Sequence, residues 1–152
     1  MKFQDILCKK AININLQSKN KIKAITELAQ MLVNEKKVKK LSKTVKALMD
    51  REKQGSTGLG QGIAIPHART DNVNSIVCAL GISKEGIDFD SLDGNPVHLV
   101  FLILSPPDDK KQYLNVVADL FRLLKNTHLK HALIDAEAVK EVIRMVEKED
   151  VL

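Results

Sequence analysis

The stretch GSTGLGQGIAIPH, residues 55–67, is the most informative part of this chain. Four glycines fall within its thirteen residues, and they lead into a short apolar run that ends at Pro66. Glycines let the backbone approach an anion closely and aim its N–H groups at it, so the loop is suited to phosphate. His67 follows at once, and the fixed φ of Pro66 limits where the histidine side chain points.

The loop does not match the familiar nucleotide-binding patterns. Gly55 and Gly60 have the spacing of a Walker A loop, but Gln61 and Gly62 occupy the places of its Lys and Ser/Thr. The Rossmann fingerprint needs a third glycine and a following helix, whereas this loop leads into a strand-like run. The G-x-S-x-G nucleophile elbow is absent as well. We therefore expect no nucleotide cofactor.

Length and composition predict one soluble domain over residues 1–152. Cys8 and Cys78 are far apart in sequence and belong to no CxxC pair, so both are expected to be free thiols. The N-terminus does not resemble a signal peptide. The longest apolar run, residues 97–104, is too short to span a bilayer. These features predict a cytoplasmic protein without direct membrane insertion.

The net charge of +5 is concentrated in one segment, KKVKKLSKTVK. Nucleic-acid-binding modules usually combine such a patch with stacking aromatic residues, and none are interleaved here. We therefore interpret the segment as a solvated lysine face and expect no nucleic-acid partner, while an acidic protein partner stays open. Its lysines are Lys36, Lys37, Lys39, Lys40, Lys43 and Lys46.

Hydrophobic spacing predicts helices before and after a central group of strands. Residues 18–33 and 41–52 are predicted to be helices capped by Ser18 and Ser42, with apolar residues at helical spacing. Three apolar runs predict strands, and the last barely alternates, which is typical of a strand buried on both faces. The runs are GIAIP, SIVCALGIS and VHLVFLIL, at residues 62–66, 75–83 and 97–104.

The chain after SPPDD, residues 105–109, is predicted to be entirely helical. One apolar face should comprise Leu114, Val117, Leu120, Phe121 and Leu124, and another Val139, Val142, Ile143 and Val146. Helices, then strands, then helices imply an α/β domain in which a small mixed sheet is flanked by helices on both sides.

Several side chains near the loop suit phosphoryl chemistry. Arg51 offers a planar fork for phosphoryl oxygens, and Ser56 and Thr57 add hydroxyl donors. A neutral imidazole is a nucleophile at one ring nitrogen, so His67 is a candidate phosphoryl acceptor. Taken alone, His67 fits an ordinary histidine after a flexible turn better than it fits a phosphoryl acceptor.

The longer segment REKQGSTGLGQGIAIPHA, residues 51–68, resembles the active-site signature of the IIA domains of the fructose/mannitol class of the bacterial phosphotransferase system. Within that class it looks most like the nitrogen-regulatory branch. GIDFDSLDGNPVHLVFLIL, LFRLLKN and the opening helices fit the same family, so the resemblance covers nearly the whole chain.

The resemblance implies a phosphoryl carrier that needs no ATP, metal or other cofactor. His67 would accept a phosphoryl group, at Nε2, from a phosphohistidine of HPr or its nitrogen-branch counterpart, and Arg51 would balance the charge. The group would then pass to a cysteine of a IIB domain, or its presence would serve as a signal. The loop residues implied to surround the phosphoryl group are Gly55, Ser56, Thr57, Gly58 and Gly60.

Tyr113 is the one departure from the family pattern. Sugar-transporting members commonly carry a second histidine at the start of this helix, close to the phosphorylated one. Tyrosine donates a hydrogen bond but is not a cation near neutral pH. We therefore favour a regulatory role over onward transfer, and expect Tyr113 to contact the phosphoryl group.

The remaining histidines are not expected to be catalytic. His98 opens a buried strand and is expected to be a packed or capping residue. His128 and His131 lie three residues apart on a predicted helix, but two nitrogens without a third nearby ligand do not define a metal site.

Overall fold

A computed structural model describes residues 2–151 as a mixed α/β domain. The helices are α1 (Phe3–Ile6), α2 (Lys21–Asn34), α3 (Leu41–Glu52), α4 (Lys110–Leu124), α5 (Thr127–Ile134) and α6 (Val139–Val151). The strands are β1 (Leu7–Asn13), β2 (Gly58–Gly60), β3 (Ile63–Ala64), β4 (His67–Arg69), β5 (Val77–Ile87) and β6 (Val97–Ser105).

The strands form one mixed sheet in the order β1-β5-β6-β3-β2, with β4 also paired to β6. Antiparallel β5 and β6 form its centre, and β1, β3 and β4 join them in parallel. Every residue of β6 except His98 is buried, as expected for a central strand covered on both faces.

Helices cover both faces of the sheet, which confirms the predicted architecture. On one face α2 and α3 pack through Ile25, Leu28 and Leu48, and on the other α4, α5 and α6 pack through residues such as Leu120 and Val142. Phe3 of α1 lies in the second core and makes an edge-on contact with Phe101 of β6, with ring centroids 5.7 Å apart. Burial of these two apolar layers is the main stabilising contribution to the fold.

Both predicted helix caps are wrong. Helix α2 is capped by Asn20, whose side chain accepts a hydrogen bond from the Lys23 N–H, while the Ser18 hydroxyl donates to Glu27. Helix α3 begins at Leu41, so Ser42 lies inside its first turn. Polar residues cluster at both helix starts, and spacing alone did not show which one had the extended backbone of a cap.

The predicted apolar face of α4 is rotated from the observed one. Leu114 and Phe121 are 53% and 43% exposed, whereas Leu120 and Leu124 are buried as predicted and Val117 is half-buried. The other buried positions are Val116 and Leu123. The face predicted for α6 is confirmed. Val142 and Val146 are buried, and Val139 and Ile143 are partly buried against the same core.

Three strands, β1, β2 and β4, are not among those that the sequence patterns predict. Strand β4 is the three-residue segment directly after Pro66, beyond the end of the predicted run. Strand β1 has Lys9 and Lys10 at its centre, which breaks the apolar pattern, and it lies at an edge where lysines are common. Strand β2 lies within the glycine-rich segment, where four glycines in thirteen residues predict a loop. No helix among residues 2–151 has the length and apolar character needed to cross a membrane.

Candidate functional site

Pro66 separates two short strands that pair in succession with the same edge of β6. Strand β3 pairs with Leu99 and Val100, and β4 pairs with residues 103–105. Proline has no N–H for the ladder, but its carbonyl still accepts from Ile103 N–H at 2.9 Å. The ladder therefore resumes at His67, which is half-buried where the end of α3 meets the start of α4.

The hydrogen bond of His67 fixes its tautomer. Its Nδ1 lies 2.8 Å from the carbonyl oxygen of Ile65. A carbonyl only accepts, so Nδ1 carries the proton and Nε2 of the neutral ring has the lone pair. This arrangement agrees with the Nε2 position that the family resemblance implied.

The surroundings of His67 keep its ring neutral. Burial lowers the pKa of His67 below its ordinary value, and the positive charge of Arg51 lowers it further. The bond to Ile65 and the carboxylate of Glu52 raise the pKa but do not reverse the shift. At neutral pH the imidazole is therefore available as a nucleophile.

Arg51 lies in the last turn of α3 and faces the same cleft as His67. Its Nη1 donates to the carbonyl oxygen of Gly55 at 2.8 Å, which holds the guanidinium against the glycine-rich segment. The cleft has a volume of about 510 Å³. Its charged and polar lining comprises Asp50, Arg51, Gln54, His67, Arg69, Lys110 and Tyr113.

Tyr113 lies beside His67, as the family resemblance implied. The two ring centroids are 5.5 Å apart with a tilt of 40°. Burial raises the pKa of Tyr113 to about 12, against the opposing effect of Arg51 and Arg69. The phenol therefore stays protonated near neutral pH and offers one neutral hydrogen-bond donor.

Much of the glycine-rich segment is bonded to itself and to its neighbours. Thr57 N–H donates to Glu52 Oε2 at 3.2 Å, and Gly58 N–H donates to the Ser56 hydroxyl at 3.0 Å. That hydroxyl donates in turn to Phe89 O at 2.8 Å. These donors hold the segment in place, so the family-implied contacts of Ser56, Thr57 and Gly58 with a phosphoryl group remain predictions.

Two glycines of the segment, Gly58 and Gly60, are favoured by different features of the local structure. A Cβ at Gly58 would lie 2.6 Å from the Ser91 hydroxyl and 3.0 Å from the Ser91 Cα, so a side chain there would force Ser91 to shift. Gly60 has a φ of 95°, which favours glycine, and lines a separate groove with Leu59 and Phe121. Ser56 and Thr57, in contrast, line a small pocket of about 80 Å³ shared with His67 and other residues.

Two cations of the cleft, Arg69 and Lys110, were missed by the sequence analysis. Arg69 lies two residues after His67 on β4, and alternation along a strand places such residues on one face. That periodicity was the signal for Arg69. Lys110 begins α4, and it reaches the cleft because the start of α4 and the end of α3 line the same cleft in the folded chain.

The other histidines lie elsewhere. His98 is half-buried on β6, and its Nδ1 donates to Ser83 O at 2.8 Å, which fits the predicted packing role. His128 and His131 are exposed on α5.

Comparison with known proteins agrees with this fold. The family "Phosphoenolpyruvate-dependent sugar phosphotransferase system, EIIA 2" matches residues 5–149. The chain therefore belongs to the type 2 IIA family, whose members are components of a phosphotransferase phosphoryl relay.

Relatives carry both transport and regulatory names. The chain is 37% identical over 150 residues, 99% of its length, to the fructose-specific EIIABC component of Bacillus subtilis, but spans only 24% of that protein. It is 33% identical to a nitrogen regulatory protein of Bradyrhizobium diazoefficiens, covering 95% of this chain and 96% of that one. The crystal structure of nitrogen regulatory protein IIA-Ntr from Neisseria meningitidis superposes with a TM-score of 0.87 at 30% identity, over 94% and 97% of the two chains.

Proposed function

We propose that this protein carries a phosphoryl group on Nε2 of His67, received from the phosphohistidine of an HPr-type carrier, and that its phosphorylated form acts mainly as a regulatory signal. The observation that supports this best is the bond from His67 Nδ1 to Ile65, which leaves the Nε2 lone pair in a cleft beside Arg51.

The transfer step needs no other reactant. The Nε2 lone pair forms a bond to phosphorus as the bond between phosphorus and the carrier's ring nitrogen breaks, and that electron pair returns to the carrier's imidazole. The Nδ1 proton stays on its bond to Ile65. Because donor and acceptor are both imidazoles, the cleft mainly positions the groups and stabilises charge.

The cations of the cleft suit the charge on the transferring group. Arg51 is held by Gly55 O through Nη1, and its remaining N–H groups are the natural partners of phosphoryl oxygens. Arg69 and Lys110 add positive charge to the same cleft. In a half-buried site, preorganised donors of this kind lower the barrier without reorganising during the reaction.

Tyr113 is the reason for favouring regulation. Its neutral hydroxyl, with a pKa of about 12, stabilises a phosphoryl dianion less than an imidazolium would. The second candidate is a IIA subunit that relays the group to a IIB cysteine for fructose- or mannitol-type uptake, and it is favoured by the fructose-specific relative. A third is a regulatory protein whose contacts with a target depend on the state of His67.

The test is to incubate the ¹⁵N-histidine-labelled protein with a purified, phosphorylated HPr-type carrier and to assign the phosphorylated nitrogen by NMR. We expect one phosphoryl group per chain, at Nε2 of His67. Phosphorylation at Nδ1, or at another residue, would contradict the proposal. Binding of the phosphorylated and free forms to candidate targets then separates a signal from a relay.

A further inference from the structure

A buried ion pair that the proposed reaction does not use lies next to the cleft residue Arg51, at the end of α3. Glu52, with a side chain only 2% exposed, pairs with Lys21 of α2 at 2.9 Å. Lys21 also lies 5.4 Å from the centre of the Phe89 ring and 3.5 Å from Asp90. A charge buried this deeply needs several partners, because its desolvation is costly.

The same carboxylate holds the glycine-rich segment. It accepts hydrogen bonds from the backbone N–H of Thr57 at 3.2 Å and from the Thr57 hydroxyl. The Glu52 carbonyl, in addition, accepts from Gly55 N–H at 3.1 Å. One residue thus fixes both ends of the turn over residues 52–57.

This turn supplies the hydrogen-bond acceptor for the Arg51 side chain. The Gly55 carbonyl that accepts from Arg51 Nη1 lies inside the turn, and Arg51 is the residue next to Glu52. If the turn loosened, the guanidinium would lose its partner and its fixed direction. A displacement of about 1 Å in such a group costs on the order of a hundredfold in rate.

We propose that Glu52, neutralised by Lys21, is a positioning residue for phosphoryl transfer: through Thr57 and Gly55 it holds Arg51 in the His67 cleft. This inference rests on the proposed function of His67. It assigns Glu52 no contact with the phosphoryl group.

The experiment compares Thr57→Val, which removes only the hydroxyl donor, with Thr57→Ser, which keeps it. Glu52→Gln is the second variant, and Glu147→Gln, which breaks an exposed pair with Lys9, is the control. The donor is phosphoramidate: its P–N bond breaks, the electron pair leaves with nitrogen as ammonia, and the Nε2 lone pair forms the new P–N bond. Two quantities are measured, the saturating rate of phosphorylation and the NMR signal of the Arg51 guanidinium.

We expect Thr57→Val and Glu52→Gln to slow the saturating rate by about tenfold or more and to shift or broaden the Arg51 signal. Glu147→Gln should behave as the wild type, and Thr57→Ser, which keeps the hydroxyl donor, should recover most of the rate and of the Arg51 signal that Thr57→Val loses. Folded Thr57→Val and Glu52→Gln proteins with a wild-type rate and an unchanged Arg51 signal would overturn the inference.

The two proposals fail in different ways. A wild-type protein that takes no phosphoryl group at His67 would contradict the proposed function, whereas the Arg51 signal decides the positioning role without any reaction. If Glu52→Gln does not fold, Thr57→Val against Thr57→Ser makes the same comparison with a smaller change.

Discussion

His67 and His98 make the same hydrogen bond in two different regions of the sheet. Each is half-buried, and each has Nδ1 2.8 Å from a backbone carbonyl, Ile65 for one and Ser83 for the other. The ring of His98 packs against backbone, since a Cβ at Gly86 would lie 3.3 Å from it. The ring of His67 faces a cleft of about 510 Å³ that also contains Arg51 and Tyr113.

The comparison shows that fixing a tautomer does not by itself make a site. Both histidines are oriented by their surroundings, but only His67 shares an open cleft with three cationic side chains, Arg51, Arg69 and Lys110, among the residues that the structure describes. We infer that the cleft, and not the hydrogen bond, separates a phosphoryl acceptor from a packing residue.

The largest expected effect comes from exchanging each histidine for glutamine. His67→Gln should abolish labelling by a ³²P-phosphorylated carrier because no nucleophilic nitrogen remains in the cleft. His98→Gln should still be labelled to the same final extent. The measurement is label retained on the protein after the carrier is removed. Label on folded His67→Gln, or no label on folded His98→Gln, would contradict the assignment of His67 as the phosphoryl acceptor.

The next largest effect on the phosphorylation rate is expected from Arg51, whose guanidinium lies in the cleft of His67. Arg51→Ala should slow phosphorylation of His67 by roughly a hundredfold, about 2.7 kcal/mol, as for the loss of one preorganised donor. Single-turnover kinetics with the carrier measure this rate. The free energy of unfolding in urea should change much less, because Arg51 is only half-buried and its hydrogen bond to the Gly55 carbonyl lies in a surface turn.

Arg69→Ala is the matched control for this experiment. Arg69 lines the same cleft but is exposed, and Arg51, not Arg69, is among the charges that shift the pKa of His67. Its loss should slow the reaction less than the loss of Arg51. Equal effects from the two variants would mean that net charge, not the position of Arg51, sets the rate.

A smaller effect is expected at Tyr113, which lies beside His67. The family resemblance implies a histidine at this position in sugar-transporting members. Tyr113→His should speed transfer from phosphorylated His67 to the cysteine of a purified fructose-type IIB domain by about tenfold, or 1.4 kcal/mol. A chase of labelled protein in a rapid-mixing instrument measures the rate. Wild-type discharge within milliseconds, unchanged by the substitution, would favour the transport role.

The sequence was sufficient to predict those parts of the candidate site that are close together along the chain. The glycine-rich segment, Pro66 and His67 are contiguous, and Arg51 lies just before them. The position of Tyr113 beside His67 was expected only from the family resemblance, because no local pattern links residues that are so far apart along the chain. The central strand β6 was clear because its unbroken apolar run is typical of burial on both faces.

The rest depended on packing that local patterns do not contain. The partner of Glu52 is Lys21, from a different helix, and nothing in the spacing of REKQGST links the two residues. The rotation of α4 depends on how it packs against α5 and the sheet, which turned Leu114 and Phe121 outward. Strand β1 was hidden because two lysines interrupt it at the sheet edge.

The smallest expected effect is on stability, and it tests whether the cleft keeps His67 neutral. Burial, followed by the charge of Arg51, lowers the pKa of His67 below the 6.5 of an unperturbed histidine. Between the lowered pKa and 6.5 the unfolded chain binds more protons than the folded one, so the free energy of unfolding rises with pH. This contribution is complete above pH 6.5 and is lost as pH falls through the folded-state pKa.

Urea unfolding of wild type and His67→Gln at pH 7.5, 6.0 and 5.0 measures this contribution to stability, because the other titrating groups are common to both proteins. The wild type should lose more stability between pH 7.5 and 5.0 than His67→Gln, and the difference should shrink in the Arg51→Ala background. Parallel curves for the two proteins would show that His67 titrates as an ordinary histidine, and the distinction between a cleft histidine and a packed one would then rest on the neighbouring charges alone.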